Sequence, residues 1–158
     1  MKIHLAFAAI AISLVILLFA PKTITVEQPI PQKPQLNILV REFLESKDSL
    51  LAPDTEFILQ QKHWKLLVSI SAIESQYCKR QLGHNCFGVG GDSAYRYYSS
   101  YRASFVDAND LIDIWQKKGR WLTVEDMNCH YVYPCNKNWV NVVNKNIKEI
   151  DELIARTK

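Results

Sequence analysis

The chain has 158 residues, 48% of them hydrophobic and 22% charged, with a formal net charge of +3. That is room for one domain plus accessory segments, with enough apolar residues for a real core. The small positive charge is too mild to argue for nucleic-acid binding; it is compatible with an acidic polymer without singling one out.

In chain order, the first event is compositional. Lys2 and His4 precede an apolar run over residues 5–20, relieved only by Ser13. Counted from Ile3 the segment is 18 residues, at the short end of what spans a bilayer as a helix. A cleaved signal peptide has a similar charged start and a shorter apolar middle. Cleavage after Ala20 would place the large Leu18 at the −3 position and Pro21 just after the cut, both unfavourable. The segment 1–20 is therefore expected to be a signal-anchor, a membrane helix at the amino terminus, with a removable signal peptide as the alternative. Either one exports the rest of the chain.

Residues 21–35 hold four of the six prolines and show no apolar periodicity. Proline fixes φ and withholds a backbone donor, so this stretch is expected to be a stiff, extended spacer. From Leu36 the pattern turns helical, with Leu36, Leu39, Val40, Phe43 and Leu44 recurring at three and four. Asp54 or Thr55 can cap a short helix through Gln61. A longer helix is predicted over 64–77, with Leu66, Leu67, Ile70, Ile73 and Tyr77 as its buried stripe.

The helical period is lost over 78–98, which carries four of the five glycines. A loop or short β-hairpin is expected there. Ser99 or Ser100 then caps a helix presenting Tyr101, Phe105, Ala108, Ile112 and Trp115 on one face, closed by Gly119. Thr123 with Asp126 resembles a capping arrangement for a short helix near 124–129. The last helix is expected to start at Asn138 as cap, with Trp139, Val143, Ile147, Ile150 and Ile154 as its stripe. The expected class is mainly α (α+β): a helical domain over 36–158 with one irregular or hairpin insert.

Four cysteines, Cys78, Cys86, Cys129 and Cys135, all lie beyond the apolar segment, which suits export to an oxidising compartment. Four cysteines allow three pairings. The local pairing, Cys78–Cys86 with Cys129–Cys135, is favoured because each bond closes a short loop between predicted helices. A zinc site using them with His84 or His130 is the competitor, but the spacings C-x7-C and C-x5-C match no common zinc pattern.

Glu74 ends an apolar helical run. A glycosidase needs a carboxylic acid that stays protonated near neutral pH to donate to the leaving oxygen, and partial burial against apolar neighbours supplies that. On position alone a solvated helix glutamate is the simpler account. Four segments in order change the balance: Ala72-Ile73-Glu74-Ser75; Asn85-Cys86-Phe87-Gly88-Val89-Gly90; Tyr97-Tyr98-Ser99-Ser100-Tyr101; and Tyr131-Val132-Tyr133 leading to Trp139-Val140. Together they resemble the lysozyme-like catalytic domains of bacterial peptidoglycan hydrolases, the endo-β-N-acetylglucosaminidases and lytic transglycosylases among them.

The resemblance implies a lysozyme-like fold and gives Glu74 the role of general acid. It implies that a tyrosine of the late loop assists the acid, Tyr133 first and Tyr131 second, with Tyr98 a weaker third. It places Asn85 at the cleft floor and makes Ser75, Phe87, Gly88, Tyr98 and Tyr131 substrate-binding candidates. Phe87 can stack on a sugar or pin the loop to the core, and Asn85 can equally serve a tight turn. Gly88, Gly90 and Gly91 suit backbone geometry and close glycan approach. No second carboxylate is obvious, Asp92 being as readily a turn residue; this tilts the chemistry toward a single acid, as in a transglycosylase or with the substrate's own N-acetyl group as nucleophile.

The implied function is cleavage of β-1,4 bonds in peptidoglycan glycan strands, as an N-acetylglucosaminidase, muramidase or lytic transglycosylase, by a monomer without metal or cofactor. The membrane is the second expected partner, through the amino-terminal helix, and nucleic acid is not one. The domain is expected in the periplasm or at the outer cell surface, or secreted if the signal is cut. The rivals are a non-catalytic wall-binding module and a cysteine peptidase using Cys86 or Cys129; paired cysteines argue against the latter.

Overall fold

The computed structural model describes residues 33–91 and 94–156. The expected anchor over 1–20, nearly all of the spacer and Asp92 lie outside the described residues. Among the described residues no helix is long and apolar enough to cross a membrane.

The domain is mainly helical. Helix α1 (Lys33–Ser46) is followed by a 3-10 turn (Ala52–Asp54), short α2 (Thr55–Ile58) and central α3 (Trp64–Ser75). A pair of two-residue strands, β1 (Gly90–Gly91) and β2 (Ala94–Tyr95), interrupts the helices. They run antiparallel, with Gly90 opposite Tyr95 and Gly91 opposite Ala94. Then come α4 (Tyr101–Lys117), short α5 (Val124–Met127) and α6 (Lys137–Ala155).

Helix α3 is the axis of the fold. It packs chiefly on α6 and also on α4. Its expected stripe is too narrow: Leu67, Val68 and Ile70 are fully buried, and so are Ser69 and Ser71, whereas Leu66 and Ile73 only border the core. The serines can be buried because their hydroxyls donate to carbonyls of their own helix, Ser69 to Lys65 at 2.8 Å and Ser71 to Val68 at 2.7 Å. A buried hydroxyl with a partner costs little.

Several boundaries differ from the sequence expectation for local reasons. Helix α1 begins at Lys33, inside the expected spacer, because proline is tolerated in the first turn and Pro34 sits there. Helix α2 stops at Ile58 rather than Gln61, and neither Asp54 nor Thr55 supplies a side-chain cap. Helix α3 ends at Ser75, since Gln76, Tyr77 and Cys78 all take positive φ, at 50°, 58° and 70°. Ser100, not Ser99, caps α4 by accepting from Ala103 N. The cap of α6 is Asn136; Asn138 is one of the two backbone donors it receives, Trp139 the other. The Thr123–Asp126 capping box is present in full.

The cysteines pair locally, Cys78 with Cys86 and Cys129 with Cys135, with Cα separations of 4.8 and 4.1 Å. No cysteine remains free. The pairing removes both the zinc arrangement built on these thiols and a cysteine nucleophile.

Candidate active site

The site is assembled where the carboxyl end of α3 meets two disulfide-closed loops and the start of α6. Glu74 is the penultimate residue of α3 and is half-buried. Its Oε1 accepts the indole N–H of Trp139 at 2.7 Å. Its Oε2 faces Gly88, where a built side-chain carbon would stand only 2.8 Å away. Gly88 has φ +63°, so both the conformation and the contact select glycine there. Burial pushes the Glu74 carboxyl above its ordinary value, and the Trp139 hydrogen bond, which favours the charged form, opposes the shift.

The 76–89 loop is fixed onto the helix end by groups that leave little freedom. Ser75 Oγ donates to Cys86 O at 2.7 Å and accepts from Cys78 N at 3.0 Å. The Cys78–Cys86 bond ties the same two points covalently. Phe87 is fully buried and meets Phe105 edge-on, with ring centroids 5.3 Å apart. Asn85 Nδ2 donates to Val89 O and Arg96 O, at 2.7 and 3.0 Å, while its Oδ1 accepts from Val89 N at 3.1 Å. The Asn85–Val89 bonds close the turn that holds Gly88 against the carboxyl.

Of the expected substrate contacts, three are committed to structure. Ser75 and Asn85 are buried with their polar atoms engaged, and Phe87 is buried in the core, so it pins the loop and offers no face to a sugar. Asn85 shapes the loop from within. The structure brings Glu74, Gly88, Tyr131 and Trp139 together. Tyr131 stacks on Trp139 at 5.5 Å with a 33° tilt, and its hydroxyl donates to Phe87 O. Burial raises the Tyr131 hydroxyl well above the usual tyrosine value, with the nearby Glu74 charge and Tyr98 acting in the same direction. Tyr133 does not join the group; it is 91% exposed.

Tyr98 is half-buried and close enough to Tyr131 to act on it electrostatically. Its hydroxyl donates to Asp107 Oδ2 at 2.6 Å, and the same oxygen accepts from Arg96. Burial, then the hydrogen bond to Asp107, push Tyr98 up to about 12. Among the described residues no group of His, Cys, Asp and Glu is arranged to hold a metal ion.

Two members of this constellation escape sequence reasoning. Trp139 reads as one more stripe residue of the last helix; the available signal was that a buried indole N–H needs an acceptor. Asp107 reads as a solvated helix carboxylate, and nothing in its spacing points to Tyr98. Compared with protein-family models, curated proteins and solved structures, the chain has no significant match in any of the three.

Proposed function

We propose that this chain is a lysozyme-like glycosidase of peptidoglycan, cleaving β-1,4 bonds between N-acetylated sugars with Glu74 as the general acid. The observation that carries the proposal is the state of that carboxyl. It is half-buried, its pKa is raised by burial, one oxygen is held by an indole and the other lies against a glycine at the surface. A helix glutamate in solvent has none of these features, whereas an acid that must stay protonated near neutral pH needs the first two.

In this mechanism Glu74 donates its proton to the glycosidic oxygen as the bond to the sugar carbon breaks. The positive charge developing on the sugar is met by a nucleophile from solvent or from the substrate itself, consistent with chemistry based on one acid. Tyr131, next to Trp139 and held by the Phe87 carbonyl, is the tyrosine best placed to border the cleaved sugar. The Tyr131 ring is held between Trp121 and Trp139, both buried. The apolar segment 1–20 would keep a monomeric, exported domain on the membrane facing the wall, with release as a secreted enzyme if the segment is cut.

The test is mass spectrometry of muropeptides released from purified wall by the wild-type chain and by Glu74→Gln. Glutamine keeps an oxygen for the Trp139 indole but cannot donate the catalytic proton, so release should fall by roughly a hundredfold to ten-thousandfold. Glu74→Gln activity within a few-fold of wild type would sink the assignment. No release by either protein, with wall binding retained by both, would favour the non-catalytic binding module.

A further inference from the structure

The two oxygens of Glu74 have different surroundings. Oε1 receives the indole N–H of Trp139, which is only 2% exposed, so that side of the carboxyl is closed. Oε2 looks onto Gly88, which is exposed, so this is the side a substrate can reach. A protonated carboxyl has one carbonyl oxygen that accepts and one hydroxyl oxygen that donates, while an indole N–H donates only. The indole therefore selects the carbonyl form for Oε1 and leaves the proton on Oε2.

Resting on the glycosidase proposal, we infer that Trp139 is a positioning residue that keeps the catalytic proton of Glu74 on Oε2, with the glycosidic oxygen approaching across the bare backbone of Gly88. In the step itself the Oε2–H bond breaks and its proton forms an O–H bond on the leaving sugar oxygen. The electron pair of the cleaved carbon–oxygen bond stays with that oxygen, and Glu74 is left as a carboxylate. The oxygen nucleophile that captures the sugar carbon, water or a hydroxyl of the same sugar, gives up a proton that returns to Glu74.

Trp139 is itself fixed on several sides. Its backbone N–H donates to the Asn136 cap at 3.3 Å, and its ring lies against Tyr131. The ionisable groups reaching this cluster are Tyr131 from the 128–136 loop and Tyr98, whose hydroxyl is bonded to Asp107 of α4, itself paired with Arg96. Both tyrosines are held protonated to high pH, so neither titrates with the carboxyl.

The experiment follows the full chain in detergent by NMR, with carboxyl-labelled glutamate and ring-labelled tryptophan, alongside the pH profile of wall cleavage. In the wild type the Trp139 indole resonance should move with the Glu74 titration, and in Glu74→Gln it should stay fixed over that range. Trp139→Phe keeps an aromatic ring but loses the donor, so the Glu74 midpoint should rise and the basic limb of the cleavage profile should move up with it. At its optimum, kcat should fall by about ten- to a hundredfold, as for a reacting group slightly misplaced. KM should stay within about twofold, because only transition-state geometry is lost.

A packing role alone would lower stability without moving the Glu74 midpoint. An unmoved midpoint in Trp139→Phe, or an indole resonance that ignores the Glu74 titration, overturns the inference. If Trp139→Phe does not fold, the wild-type indole titration decides by itself. Wall left uncut by the wild type while the indole still follows Glu74 overturns the glycosidase proposal and the donor role, and upholds the pairing of Trp139 with Glu74.

Discussion

The two disulfide loops use the same covalent device for different ends. Cys78 and Cys86 are fully buried, and the loop between and beyond them spends its polar atoms internally, through Ser75 and Asn85. Cys129 and Cys135 are exposed, and their loop is held by lighter means: Asn128 Oδ1 accepts from Asn136 N at 2.8 Å, and Tyr131 N donates to Met127 O at 2.8 Å. The first loop is part of the core and brings Gly88 to Glu74. The second is a stiffened rim from which Tyr131 reaches inward. A sequence shows both as a pair of cysteines a few residues apart; burial separates a bond that builds the core from one that steadies an edge.

Removing each bridge in turn should separate these roles most widely. The closed loops span 8 and 6 residues, so chain entropy alone gives nearly the same loss for both, roughly 2–2.5 kcal/mol. Cys78→Ala with Cys86→Ala also empties a buried site and should cost about 4 kcal/mol in total. Cys129→Ala with Cys135→Ala should cost about 2 kcal/mol. Denaturant unfolding measures both, and equal losses would show that the buried bridge contributes only loop closure.

The next effect strikes the first loop where it meets the acid. Gly88→Ala puts a methyl group against Glu74 Oε2 and forces a left-handed backbone on a residue with a side chain. The strain should cost about 1–2 kcal/mol. On the proposed mechanism, cleavage of purified wall should fall on the order of a hundredfold, because the proposed donor oxygen is displaced. Loss of stability with unchanged kcat would mean that the face over Gly88 is not the route of approach.

The elements of the second half of the chain were the more legible ones. Helix α4 has a serine cap and a glycine stop, α5 has its capping box, and α6 repeats its apolar residues at helical spacing over 19 residues. These signals are local and survive folding. Helix α3 was legible as a helix but its buried surface was not, because a helix enclosed on nearly all sides buries more than one stripe, and its buried serines look like a polar face. Glu74 could be singled out only through the four ordered segments that resemble a lysozyme-like domain, since its place at the end of an apolar helix fits a solvated glutamate as well. Its partner could not, because the bond from Trp139 joins residues 65 apart in sequence, and spacing carries no information over that distance.

Glu74 sits where both loops meet, and its charge state should register in stability. Burial raises its pKa in the folded chain above the unfolded value. The folded state thus holds the proton more tightly, and this contribution is fully present below the ordinary glutamate value. It is lost as pH rises through the raised folded value. Glu74→Gln carries no charge at any pH, so its melting temperature should exceed that of the wild type at neutral pH, and the gap should close on acidification. A gap that is constant with pH would mean that the carboxyl is not strained by burial.

The smallest expected effects separate the two tyrosines of the second loop. Tyr131→Phe removes the hydroxyl that donates to Phe87 O, across the seam between the loops, while keeping the ring against Trp139 and Trp121. One hydrogen bond of this kind contributes about 0.5–1.5 kcal/mol, and the stranded Phe87 carbonyl puts the loss toward the upper end. Since Phe87 precedes Gly88, loosening this seam should also lower cleavage, by about tenfold if the geometry at Oε2 relaxes slightly. Tyr133→Phe alters only a hydroxyl on a ring that is 91% exposed, and a surface change of this type should stay within about 0.5 kcal/mol. Its cleavage rate should match the wild type, because no contact ties Tyr133 to Glu74, Gly88 or Trp139. Parallel melting curves and initial rates on the two variants give the comparison directly. A larger rate loss in Tyr133→Phe than in Tyr131→Phe would reverse the assignment, making the exposed tyrosine the one that meets the sugar and Tyr131 a structural pin.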